Sequence, residues 1–217
     1  MTSSDSRRPW TLLLMAAAFL VMVTLGIRQS FGLFLLPVTE ALGTGREVFS
    51  LALALQNLLW GIASPFAGAL ADKFGAGRVA AIGTLFYAGG LVVMASFVSP
   101  SGLMMGQLMI GIGLGSAGVS IALGAVARAV APEKRSLALG MVTSIGSFGQ
   151  FAVLPVTQIF IDGYGWQVSL LLLSGLSASM LASCLLMARD EKVREVRTAD
   201  IANITMNGML KTALSST

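Results

Sequence analysis

The sequence has very little charge, no histidine and a single cysteine. Asp, Glu, Lys and Arg make up 11% of its 217 residues, against about 25% in soluble globular proteins. Without histidine the chain lacks the Ser–His and Cys–His nucleophile pairs and the commonest zinc ligand, and the lone Cys184 cannot close an internal disulfide. It also lacks a Gly-x-x-x-x-Gly-Lys-Ser/Thr phosphate loop. These absences argue against an enzyme and predict neither cofactor nor metal.

Apolar residues are abundant instead, at 55% of the chain with a mean hydropathy of +0.84. They form six long blocks, each long enough to cross about 30 Å of hydrocarbon as a helix. The sequence therefore predicts an all-α membrane protein whose six-helix domain covers 10–188, between a cytoplasmic N-terminus at 1–9 and a cytoplasmic tail at 189–217. The predicted transmembrane helices are 10–36, 49–71, 79–98, 103–130, 137–161 and 168–188.

The basic residues indicate the orientation. If these helices alternate in direction, Arg46 lies on one side, Arg28 lies within a span, and the other twelve lie on the opposite side. By the positive-inside rule both termini are expected in the cytoplasm, in a plasma or inner membrane. The basic residues form no run with interleaved aromatics, so a nucleic-acid partner is not expected despite a pI of 9.7. The twelve are Arg7, Arg8, Lys73, Arg78, Arg128, Lys134, Arg135, Arg189, Lys192, Arg194, Arg197 and Lys211.

The second and fifth spans resemble each other. Both open with Ser-Leu-Ala-Leu, at 50–53 and 136–139, and both then carry Pro, Asp seven residues later and Gly three residues after that. The offset is 86 residues at the front and 90 at the back, so the fifth helix is expected to be about one turn longer. The alternative is chance similarity among common membrane residues. A true repeat would be inverted and would relate spans 1–3 to spans 4–6, as in secondary transporters. The matched residues are Pro65, Asp72 and Gly75 with Pro155, Asp162 and Gly165.

The connection between the second and third spans carries a motif. The segment GALADKFGAGR (68–78) resembles the signature of the major facilitator superfamily, Gly-x-x-x-Asp-(Arg/Lys)-x-Gly followed by basic residues, and departs from it at 76–77. The resemblance implies half of a major-facilitator fold, in which Gly68 and Asp72 meet a helix of the opposite half and latch one conformation. A simple charged cytoplasmic turn is the alternative. The motif residues are Gly68, Asp72, Lys73, Gly75 and Arg78, and Gly75 and Gly77 are expected to permit turn conformations.

Arg28 is the one charged residue inside a predicted span, and no Asp or Glu lies within any span to pair with it. It stands about 26 Å along the helix from Thr11 and about 12 Å from Leu36, which predicts a position in the outer half of the membrane. An intramembrane ionisable residue suggests function, and an unpaired guanidinium suits a carboxylate. The alternative is that Arg28 extends to the outer headgroups.

Other residues are assigned to the same cavity. The stretch IRQSFGLF (27–34) resembles the first helix of the monocarboxylate and oxalate–formate antiporter-like branch of the superfamily, with a register shift of about one residue. Phe31 shares a helical face with Arg28, and polar side chains interrupt the second, fourth and fifth spans. For each polar residue alone, a hydrogen bond between helices is the alternative. The predicted substrate-binding residues are Arg28, Phe31, Gln56, Asn57, Gln107, Thr143, Ser147 and Gln150.

These features together predict secondary active or facilitative transport of a small organic anion, a mono- or dicarboxylate, by alternating access. The chain resembles the N-terminal half of a twelve-helix transporter, which implies a missing C-terminal half or a second copy as partner within the lipid bilayer. Two alternatives remain open. One is a drug or cation exporter of the same superfamily, and the other is a non-transporting six-helix scaffold or regulatory fragment.

Overall fold

A computed structural model describes residues 8–189, with side chains from Thr11 onward. Residues 1–7 of the predicted N-terminal segment and 190–217 of the predicted tail lie outside the described residues. Across the described part the chain is helical without strands, and six helices are long and apolar enough to cross a membrane. The predicted all-α six-helix class is therefore confirmed.

The six spans follow one another through short connections. The first span, Thr11–Leu42, comprises α1 (Arg8–Ser30), a 3₁₀ turn (Phe31–Phe34) and α2 (Leu35–Leu42), and the fourth span, Pro100–Ala129, comprises α5 (Pro100–Ala117) and α6 (Val119–Ala129). The second, third, fifth and sixth spans are single helices: α3 (Arg46–Phe74), α4 (Ala76–Ser96), α7 (Pro132–Tyr164) and α8 (Trp166–Arg189).

The first span is longer than the sequence predicts. Pro37 falls in the first turn of α2, where a residue needs no N–H partner within the helix, so the chain stays helical to Leu42 instead of stopping at Leu36. Arg28 thus lies 17 residues after Thr11 and 14 before Leu42. The extension moves Arg28 from the expected outer half to near the middle of the span.

The two halves of the bundle are built alike. The fifth span packs on the first, as the second packs on the fourth, which is the arrangement that an inverted repeat requires. The second span has 29 residues and the fifth 33, so the fifth carries the predicted extra turn. Each ends in a glycine at positive φ, Gly75 (94°) and Gly165 (83°), whose N–H donates to the carbonyl four residues earlier. Both glycines lead directly into the next span.

Glycines allow both of these helix pairs to approach closely. A Cβ at Gly115 of the fourth span would lie 2.7 Å from the Cβ of Ala63, and one at Gly26 of the first span would lie 2.7 Å from the carbonyl oxygen of Gly149. In lipid there is no hydrophobic driving force between helices. Close approach therefore stabilises these helix pairs through dense van der Waals contact. These contacts hold the second span against the fourth and the fifth against the first.

The first and fourth spans are also interrupted at matching positions. The 3₁₀ turn at 31–34 breaks the first span, and Gly118, whose backbone is extended, breaks the fourth. Gly118 lies 86 residues after Gly32, the same offset that relates the fronts of the second and fifth spans. Interrupted helices near the middle of a span are typical of the substrate region of transporters. Arg28 lies one turn before the first of these interruptions.

Candidate functional site

Arg28 is held by two side chains of the second span. Its Nη2 donates to Asn57 Oδ1 at 2.9 Å, and its guanidinium carbon lies 4.9 Å from the centroid of the Trp60 ring. Asn57 Nδ2 donates in turn to the carbonyl of Leu53 at 2.8 Å, which fixes the amide so that its oxygen faces Arg28. The charge is therefore stabilised by a neutral oxygen and an aromatic face, and none of the described carboxylates pairs with it.

The backbone next to Arg28 is anchored to three other spans. Thr24, one turn earlier, accepts a 3.2 Å hydrogen bond on its carbonyl from the Tyr87 hydroxyl of the third span. Its own hydroxyl lies 3.5 Å from the carbonyl oxygen of Ala117, at the interruption of the fourth span, and 3.4 Å from the Met180 sulfur of the sixth. These contacts fix the position from which Arg28 reaches the second span.

Open space lies beside this group. A Cβ at Gly32, one turn after Arg28, or at Gly61, one turn after Asn57, would meet no atom within 4 Å. Arg28 and Trp60 are half-buried and Asn57 is exposed, so the three side chains border the open side of the bundle. A guanidinium has five N–H donors, and the bond to Asn57 uses one of them. The remaining donors suit a bidentate carboxylate.

Three of the predicted binding residues lie elsewhere. Phe31 is 2% exposed and packs in the core, with its ring centroid 6.4 Å from that of Phe34. Gln56 and Gln107 are 1% and 0% exposed. Gln56 lies where the second span meets Gly111 of the fourth, and Gln107 is one turn before Gly111. Gln56 Nε2 and both amide atoms of Gln107 have no hydrogen-bond partner within the described chain.

The predicted residues of the fifth span remain on its surface. Thr143 and Ser147 are exposed, and their hydroxyls donate within their own helix, to the carbonyls of Leu139 (2.8 Å) and Thr143 (3.2 Å). Gln150 is half-buried. The structure thus joins Arg28 and Asn57 into one group, while the Thr143 and Ser147 hydroxyls bond within the fifth span.

Trp60 was missed by sequence reasoning. An aromatic residue in an apolar helix is equally suited to contact lipid, so its identity alone carries no signal. The spacing of Trp60 does carry a signal, because Trp60 follows Asn57 by three residues and therefore lies on the same helical face.

The motif at the end of the second span includes an ion pair within this six-helix unit. Arg128 Nη1 of the fourth span donates to Asp72 Oδ1 at 3.0 Å, with the two side chains 50% and 69% exposed. Lys73 Nζ lies 5.2 Å from the centroid of the Phe74 ring, and Arg78 is exposed. The ion pair ties the end of the second span to the fourth span, on which it packs.

The glycines of the motif have different roles. Gly75 has the positive φ that the prediction required. Gly77, in contrast, lies in the helical α4, and a Cβ there would meet Cys184 O at 2.6 Å and the backbone of Ala188. Its role is close approach to the sixth span instead of a turn conformation. Gly68 is half-buried, with open space where a side chain would be.

Six apolar helices in an inverted repeat, with the first and fourth interrupted at matching positions, define a multi-pass membrane protein. Comparison with known families gives the same class, since residues 9–211 match the model of the Major Facilitator Superfamily. The chain belongs to this superfamily, which confirms the resemblance carried by residues 68–78.

Its curated relatives are transporters of modest identity. The chain is 31% identical to monocarboxylate transporter 11 of Mus musculus over 176 residues, covering 77% of the chain and 38% of that protein. It is 25% identical to the MFS-type transporter YcxA of Bacillus subtilis over 182 residues, covering 82% and 43%. A Bacillus subtilis protein named for niacin and nicotinamide transport, NiaP, is 33% identical over 105 residues, covering 48% and 26%. The chain spans less than half the length of these relatives.

Proposed function

We propose that the protein takes part in transport of a small organic anion, a mono- or dicarboxylate, by alternating access, and that Arg28 is its carboxylate receptor. The supporting observation is the geometry of Arg28: a half-buried guanidinium near mid-span, held by the neutral Asn57 and Trp60, next to open space. The names of the monocarboxylate transporter relatives agree with this cargo. Exchange or facilitated diffusion fits the residues of this unit, because its spans carry no carboxylate near mid-span in the described part.

The positions of the acidic residues disfavour a cation as cargo. The described acidic residues lie at or near span ends, where they cannot face a substrate at mid-span. A cation at the level of Arg28 would be repelled by the guanidinium with no described carboxylate to offset it. The residues in question are Glu40, Glu47, Asp72, Glu133 and Asp162.

We further propose that a second six-helix unit, a C-terminal half or another copy, covers the second and fifth spans. Only 17% and 22% of the most apolar stretches of these spans are buried, against 61% in the first and fourth spans. Large apolar side chains such as Phe66 and Phe151 are exposed there. The motif end of the second span, with Gly68 open and Asp72 largely exposed, lies on this face and would latch one conformation against that unit. Both termini are proposed to lie in the cytoplasm, on the side of Asp72.

Uptake into proteoliposomes made with the protein tests the cargo. Labelled lactate and the labelled lipophilic cation tetraphenylphosphonium are supplied in parallel, with protein-free liposomes as the control. We expect lactate to bind the reconstituted protein and, where a second copy supplies the other six-helix unit, to enter at a saturable rate above that of protein-free vesicles. The cation should enter equally in both.

Two results would contradict the proposal. Protein-dependent entry of the cation alone would favour an exporter of cations. Failure of lactate both to enter and to bind the reconstituted protein would favour the non-transporting scaffold.

A further inference from the structure

The open space beside Arg28 has an aromatic wall. The centroid of the Trp60 ring lies 4.9 Å from the guanidinium carbon, the side chain is only half-buried, and the next residue, Gly61, has open space where a Cβ would be. Gly32 and Gly61 leave this space unfilled on the first and second spans, respectively. Phe31 cannot supply that wall, because it is packed in the core. A ligand whose carboxylate reaches Arg28 therefore has its body beside a tryptophan.

Resting on the proposed function, we infer that the site selects carboxylates attached to a flat aromatic ring. Arg28 binds the carboxylate with the donors that Asn57 leaves free, and Trp60 stacks against the ring. An aliphatic carboxylate of the same size gains from burial but not from stacking. Contacts between aromatic rings add enough beyond burial to change affinity about 2-fold to 10-fold.

Two ligands matched in charge and carbon number separate stacking from burial: benzoate, whose ring is flat, and cyclohexanecarboxylate, whose ring is puckered. Equilibrium binding of each is measured on the full chain in lipid nanodiscs. The unmodified protein should bind benzoate about 2-fold to 10-fold more tightly. This comparison needs no variant and is independent of how well a variant folds.

Variants then assign the preference to Trp60. Trp60→Leu also removes the aromatic contact of Arg28 and should weaken both ring ligands, but it should make their affinities equal, whereas Trp60→Phe should retain most of the preference for benzoate. Trp166→Leu, at another half-buried tryptophan, should keep the preference and serves as the matched control. Gly61→Val, which fills the open space, should weaken benzoate binding more than acetate binding. Gly175→Val, at an exposed glycine of the sixth span with equally open surroundings, should affect neither.

The outcomes distinguish this inference from the proposed function. Equal affinity for the two ring ligands, or a preference that survives Trp60→Leu, would overturn the inference while leaving carboxylate binding by Arg28 intact. Absence of binding by both ligands and by acetate would overturn the proposed carboxylate site itself.

Discussion

The first three spans and the last three share one scaffold but differ in the side chains placed on it. At the repeat offset of 86 residues, Asn57 corresponds to Thr143 and Gly61 to Ser147. Arg28 corresponds in the same way to Leu114, which is 1% exposed in the core, and Trp60 corresponds to Gly146. Both copies of the repeat therefore contain the same helix pair. Among the described residues, however, only the first copy has a cationic group beside open space.

The ends of the second and fifth spans show the same divergence. Asp72 is paired with Arg128 of a neighbouring span at 3.0 Å, whereas its counterpart Asp162 accepts a 2.8 Å hydrogen bond from Gln158 of its own helix. Both aspartates precede a glycine at positive φ. Asp72 thus fastens its span to a neighbouring span, whereas the hydrogen bond that Asp162 accepts stays within its own helix.

The largest effect is expected at Arg28. Arg28→Gln removes the charge but keeps a polar side chain, and it should lower carboxylate affinity about 10-fold to 100-fold, which is the range for loss of a charged hydrogen bond. The affinity is measured by binding of labelled carboxylate to the protein in nanodiscs, and membrane insertion is checked by protease protection. Unchanged affinity in a correctly inserted variant would rule out Arg28 as the receptor.

The glycine-mediated helix pairs should respond alike in the two repeats. Gly115→Val and Gly149→Val each place a side chain against a neighbouring helix and should lower the free energy of unfolding by about 1–3 kcal/mol. Gly140→Val in the fifth span, with no atom within 4 Å of its Cβ, is the matched control. Unfolding in mixed detergent micelles gives the values. A large loss at one pair with none at the other would show that the two pairs are not equivalent.

The smallest effect is expected at the aspartates. Asp72→Asn should lower stability by up to about 1 kcal/mol, since its ion pair is exposed, and the loss should shrink at high salt. Asp162→Asn keeps an oxygen to accept from Gln158 and should change stability less. Thermal unfolding at two salt concentrations measures both, and exchanging the charges by Asp72→Arg with Arg128→Asp should restore part of the loss. Equal, salt-independent effects of Asp72→Asn and Asp162→Asn would contradict the difference between the two ends.

Patterns that depend on spacing along one helix could be predicted from the sequence. Hydropathy predicted the six spans, the difference between the repeat offsets of 86 at the front and 90 at the back predicted the extra turn, and residues 68–78 indicated the family. Which face of a helix meets which neighbour does not follow from spacing. Gln56 and Asn57 are adjacent, yet one is buried against the fourth span and the other reaches Arg28. The pairing of Asp72 with Arg128, 56 residues apart, also depends on how the helices pack.

The central claim is that an anion site lies at Arg28 in the first repeat and has no counterpart in the second. Asn57→Asp tests it most directly, because it places a carboxylate where Asn57 Oδ1 now lies, 2.9 Å from the guanidinium. Thr143→Asp adds the same charge at the equivalent position of the second repeat. We expect Asn57→Asp to lower carboxylate affinity about 10-fold to 100-fold, as removal of Arg28 does, because the new carboxylate occupies the guanidinium, and Thr143→Asp to lower it far less. Equal losses in the two variants, or normal binding by Asn57→Asp, would contradict the claim.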